Sequence, residues 1–202
     1  MNKDNQEMNL TDRINGLIEM NQDSISAYFD NLLIEYRRLF SQKLFDPRFL
    51  CFVVCLNIVE KEDLGCNTKT ILRFEKATSY IYYNSKLNNY ELNFCLMKEF
   101  IYHSIMKHIL PSDEKFEKLF MKKVKLHSIT NDKPQNKREE IVNKVLEDAA
   151  IKFLVPEDLF WNYYNENKDI KKCSEYFRVE EKIIETILEH NKNNLKTLKK
   201  SR

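Results

Sequence analysis

Glycine is almost missing from this chain: Gly16 and Gly65 are the only two in 202 residues, and there are four prolines. Loops that cradle phosphates, of the G-x-G-x-x-G or P-loop kind, rely on clustered glycines for tight turns and close backbone approach, so nucleotide-binding folds of those types are excluded. Long apolar runs are missing too. The longest, Phe49 to Leu56, falls far short of the roughly 20 residues that a bilayer-spanning helix needs. The polar stretch Met1 to Glu7 lacks the apolar core of a signal peptide, so a cytoplasmic chain without a membrane partner is expected. C-x-x-C spacing is absent as well. Cys51, Cys55, Cys66, Cys95 and Cys173 form an odd set, three of them inside apolar runs, which points to reduced buried thiols rather than a disulfide frame or zinc knuckle.

No strong charge of one sign is present, since 33 basic residues face 31 acidic ones for a formal net charge of +2. That balance gives no global electrostatic reason to bind nucleic acid. Lys192, Lys196, Lys199, Lys200 and Arg202 do crowd the last residues, a cluster expected to form a solvated terminus.

Composition is otherwise globular, with 43% hydrophobic and 12% aromatic residues, and the length suits one domain with a real core. Leu10, Ile14, Leu17 and Ile18 predict a short amphipathic helix. Ile25, Tyr28, Phe29, Leu32, Leu33, Tyr36 and Phe40 predict a stronger one. Asp46-Pro47 reads as N-cap and first helical position of a buried helix over Phe49 to Ile58. Past Gly65, Thr70 to Phe74 and Ser79 to Tyr83 are short, β-branched and aromatic, and two or three strands are expected there. Asn88, with Glu91 three residues on, opens a helix that runs to Pro111. Ser112 to Val124 predicts another helix and His127 to Lys137 a loop. A long helix through Ile141, Val145, Ala149 and Phe153 stops at Val155-Pro156. Two short helices follow, around Ile170 to Phe177 and Val179 to Glu189.

The helix after Asn88 contains Asn93-Phe94-Cys95-Leu96-Met97-Lys98-Glu99-Phe100-Ile101-Tyr102-His103. In the H-E-x-x-H motif, two histidines one turn apart hold Zn²⁺ and the glutamate acts as general base toward the metal-bound water. Here the corresponding residues are Lys98, Glu99 and Tyr102. Taken in order, the segment Tyr80 to Asn84, this helix, the stretch Leu146 to Phe160 and the stretch Cys173 to Val179 resemble the ImmA/IrrE metallopeptidase family over roughly residues 48 to 190. In that family the pieces read I-x-I-N, R-F-T-x-A-H-E-x-G-H, E-x-x-A-N-x-F-A-x-x-L-L-x-P and L-A-x-x-F-x-V-S.

The resemblance implies an α+β, predominantly helical fold: a zincin-like metallopeptidase domain with a small sheet of two to three strands and a C-terminal helix pair. Residues 1–47 would be N-terminal helices packed on it and 191–202 a basic tail. The first histidine falls on Lys98, the second on Tyr102, and the third ligand, a glutamate thirteen residues before the proline, falls on Asn143. An ammonium, a phenol and a carboxamide bind zinc poorly, so no metal or cofactor is expected and Glu99 is left at the general-base position without a water to activate. Active relatives remove helix-turn-helix repressors of mobile elements or stress-response genes. A chain with the fold but not the ligands implies a pseudopeptidase that binds a protein partner such as a repressor.

Two arrangements of the altered site compete. Lys98 places its charge where the metal would sit, satisfied by Tyr102, Asn143 and Glu140; or Lys98 snorkels to solvent and Tyr102 fills space. A working zinc endopeptidase with displaced ligands is a further alternative, built on Glu99, His103 and Glu139 or Glu140. His108 is five positions from His103 and on another face. A DNA-binding module formed by the C-terminal helix pair and the basic tail is the last, and Glu180, Glu181, Glu185 and Glu189 weigh against it because phosphates repel them.

Overall fold

The computed structural model describes residues 30–31, 33–36, 38, 44–65, 67–74, 78–109, 126–130 and 137–200. The described residues between 30 and 38 are helical, and Leu33 and Tyr36 pack against the core. Tyr36 meets Phe100 edge to face at 5.6 Å. The helices expected around 10–18 and 112–124 lie outside the described residues.

Helix α1, Pro47–Val53, starts as its sequence dictates. Asp46 is extended and its carboxylate accepts the Arg48 N–H at 2.8 Å, while Pro47 occupies a first-turn position whose N–H would be unpaired in any case. The helix does not continue to Ile58. Val54 N–H closes on Leu50 and Cys55 N–H on Phe52, and Cys55 turns left-handed at φ 58°, which directs the chain into strand β1, Leu56–Lys61. The apolar run therefore holds two elements. Its β-branched half, with Ile58 and Val59, is a strand because it finds a parallel partner, a tertiary outcome that periodicity in a short run does not reveal.

Gly65 at φ 93° makes the turn out of β1, with Asp63 accepting its N–H at 2.7 Å. Strand β2, Thr68–Phe74, and strand β3, Ser79–Asn84, match the expected pair. Strand β4, Leu126–Thr130, falls across the segment read as a loop from His127. The sheet thus has four strands in the order β1-β3-β2-β4 rather than two or three. β1 runs parallel to β3, and both β2 contacts are antiparallel. Both additional strands are edges, and edge pairing leaves the weakest local signature.

Helix α2, Asn89–Ile109, begins at Asn88, whose side-chain oxygen accepts the N–H groups of Tyr90 and Glu91 at 2.9 Å each. The side-chain amide of Asn88 also donates to Glu91 at 3.3 Å. Between Leu92 and His103 this helix is buried almost all round: Leu92, Cys95, Leu96, Met97, Phe100 and Ile101 are core residues, and Asn93, Lys98, Glu99 and His103 are buried with them. It packs on the sheet, on α1 and on helix α3, Lys137–Leu154. Leu146, Ala149, Ala150, Phe153 and Leu154 form the buried stripe of α3, at spacings of three and four residues.

Pro156 then opens helix α4, Glu157–Asn167, which the sequence reading passed over. Lys168 ends it in the left-handed conformation. Helix α5, Ile170–Phe177, is capped by Asp169, and Arg178 at φ 55° turns the chain into helix α6, Glu181–Lys200. The turn is fixed by Ser174, whose hydroxyl donates to the Val179 carbonyl at 2.6 Å. The C-terminal helix pair is thus present, with a longer second member than expected. The molecule is α+β, mostly helical with one small sheet. No described helix is long and apolar enough to cross a membrane.

Candidate functional site

Helix α2 lies with Glu99 and His103 toward the inward face of β2, where Thr70, Leu72 and Phe74 alternate inward. The Thr70 hydroxyl donates to Glu99 Oε1 at 2.8 Å, with both residues fully buried. One turn on, His103 stacks flat on Phe74, with ring centroids 5.6 Å apart and planes 12° apart. A register irregularity between β2 and β4 falls beside Thr70. The Glu99 carboxylate is therefore engaged by a strand hydroxyl.

Lys98 is 4% exposed. Its ammonium pairs with Glu147 Oε1 at 3.1 Å and sits 5.8 Å from the centre of the Phe94 ring. The counter-ion is Glu147 on α3, not Tyr102, Asn143 or Glu140. Glu147 follows Asn143 by one helical turn, so both lie on the α3 face that meets α2. Asn143 is half-buried there, and Glu140, one turn nearer the N-terminus than Lys144, is exposed. A lysine's four-carbon stem gives its charge more reach than a histidine at the same position would have, so its partner need not be the residue nearest in the motif.

Tyr102 is half-buried and its phenol is pushed up to about 12, first by desolvation and then by the charge of Glu99. The thiols of Cys51 and Cys95 are likewise raised to about 12 by burial above all. Cys51, Cys95 and Cys173 are buried thiols as expected, but Cys55 is exposed at the left-handed turn.

For the displaced-metal alternative, no cluster of three or more His, Cys, Asp or Glu side chains is gathered among the described residues. Glu99 and His103 are engaged by Thr70 and Phe74, and the side chains of Glu139 and His108 lie outside the described residues. On α6, Glu181, Glu185 and Glu189 are exposed, and Glu180 pairs with Lys182 at 2.7 Å. Sequence reasoning missed Thr70 and Glu147. The inward alternation of β2 was a signal for the first, and the i, i+4 spacing from Asn143 was a signal for the second.

No family model and no curated protein sequence matches the chain. Among solved structures, it is similar to a Mycobacterium tuberculosis transcriptional regulator with a TM-score of 0.50 at 13% identity. The match covers 81% of this chain and 50% of that one, so this chain spans half the length of that protein. At such identity the likeness concerns the fold.

Proposed function

We propose that this chain is a pseudopeptidase of the ImmA/IrrE type, a zincin-like domain that binds a protein partner without cutting it. The observation that carries the reading is the buried Lys98 ammonium, paired with Glu147 at the position where the motif would hold its first metal ligand. A lysine ammonium has no lone pair to give a metal, and a buried cation repels a second one. The full burial of Glu99 beneath the Thr70 hydroxyl is in keeping with the same reading, because a general base must be within reach of a water or substrate proton.

The partner we infer is a helix-turn-helix repressor, through the ImmA/IrrE resemblance, and the role is transcription regulation; the similar structure is itself described as a transcriptional regulator. Direct DNA binding through α6 is the weaker reading, since its exposed Glu181, Glu185 and Glu189 oppose phosphates.

The test is restoration. A Lys98→His, Tyr102→His, Asn143→Glu variant, purified without chelator and assayed for zinc by elemental analysis, is expected to carry zinc that the parent chain does not. Zinc bound equally by parent and variant would overturn the reading.

A further inference from the structure

The Lys98 ammonium has three N–H donors. Among the described residues it meets one oxygen, Glu147 Oε1, and otherwise the face of Phe94. Its side chain is 6% exposed, whereas that of Glu147 is 51% exposed. A fixed buried cation is therefore neutralised by a carboxylate that reaches it from the solvent side through one contact. A buried ammonium must keep a counter-charge, so the group able to take Glu147's place is another carboxylate. A neutral group would strip Lys98 of its counter-ion and a cation would be repelled, and among the groups of an unmodified protein partner a carboxylate is the singly charged anion that matches. Asn143 lies one turn from Glu147 on the same face of α3 and is half-buried, which places a carboxamide near the same contact.

We propose that the Lys98–Glu147 contact between α2 and α3 is a carboxylate-binding site, in which an acidic side chain or the C-terminal carboxylate of a protein partner displaces Glu147 and pairs with Lys98. The site rests on the pseudopeptidase reading in taking this contact as the seat of a partner. Zinc content reports on that reading, and the lysine signal below reports on this one.

The experiment follows the Cε resonance of Lys98 by NMR in the full chain made with isotope-labelled lysine, the peak being assigned by its loss in Lys98→Arg. Three short alanine-based probes are titrated: one with blocked ends and a central glutamate, one with blocked ends and a central glutamine, and one neutral with a free C-terminus. The glutamate probe, the free C-terminus probe, or both are expected to shift the Lys98 resonance, which also tells side chain from terminus as the source. Glu147→Gln, which removes the internal competitor, is expected to lower the apparent Kd severalfold. Lys98→Met is expected to abolish binding at unchanged circular dichroism, and Lys98→Arg to retain it. Equal shifts with the glutamine probe, no shift with either carboxylate probe in both the parent and Glu147→Gln, or an unchanged Kd in Glu147→Gln would overturn the proposal.

Discussion

Lys98 and Glu147 differ sharply in exposure, and the difference sets opposite outcomes for removing either one. Glu147→Ala leaves an ammonium buried without a counter-charge and is expected to destabilise by about 2 kcal/mol, below the usual cost for a wholly buried pair because Glu147 is half in water. Lys98→Met removes the charge that needs pairing and fills the same space, so a change within about 1 kcal/mol of neutral is expected. Urea denaturation of both variants checks the asymmetry. Thr70→Val deprives the buried Glu99 carboxylate of a donor and is expected to cost about 1–3 kcal/mol. The alkaline limb of stability reports on Tyr102, Cys51 and Cys95. All three are raised in the fold to about 12, from 10.0 for the tyrosine and 9.0 for the thiols. The protonated neutral form is the one the fold favours, so their contribution is whole below pH 9 and is lost as pH rises through 12. Tyr102→Phe should flatten the part of that loss above pH 10, read as the denaturation midpoint against pH. At this scale the sequence singled out Lys98, Tyr102 and Asn143 by their spacing, and the structure places Lys98 buried against Glu147 and Asn143 half-buried on α3. Glu147 and Thr70 left only faint signals, the i, i+4 spacing from Asn143 and the alternation of β2, because a linear pattern does not say which carboxylate a flexible lysine reaches or which strand faces a helix.

Elements with chemical punctuation were read well, and elements defined by a partner were not. Asp46-Pro47 and Asn88 fixed the starts of α1 and α2, and Pro156 fixed the end of α3, because caps and proline act within a few residues. Strand β1 was hidden inside an apolar run, and β4 inside a polar one, because each owes its conformation to a neighbour distant in sequence. The break between α1 and β1 rests on Cys55, a side-chain-bearing residue held at φ 58°. Left-handed backbone costs such a residue about 1–2 kcal/mol, a cost glycine escapes. Part of that gain is offset by the greater freedom of glycine in the unfolded chain, so Cys55→Gly is expected to stabilise by about 0.5–1 kcal/mol. Thermal unfolding checks it, with a raised Tm as the expected outcome. If α1 instead ran on through Cys55 as one helix, the same change would lower the Tm by introducing a mid-helix glycine.

Among the described residues the sheet, α1 and α3 pack around a central α2 whose Lys98, Glu99 and His103 are buried and engaged. In a zincin-like reading this is the helix that would face a metal and a substrate; here its charges are met by the protein's own Thr70 and Glu147. The α+β character and the helix pair were visible in the sequence because they follow from composition and period, while the inward-facing chemistry of α2 emerged only from packing. The central claim is that protein groups have taken the place of the metal. Elemental analysis of the parent chain, purified without chelator and then dialysed against zinc, tests it most directly. The account predicts zinc at background before and after dialysis, and one zinc retained per chain would contradict it.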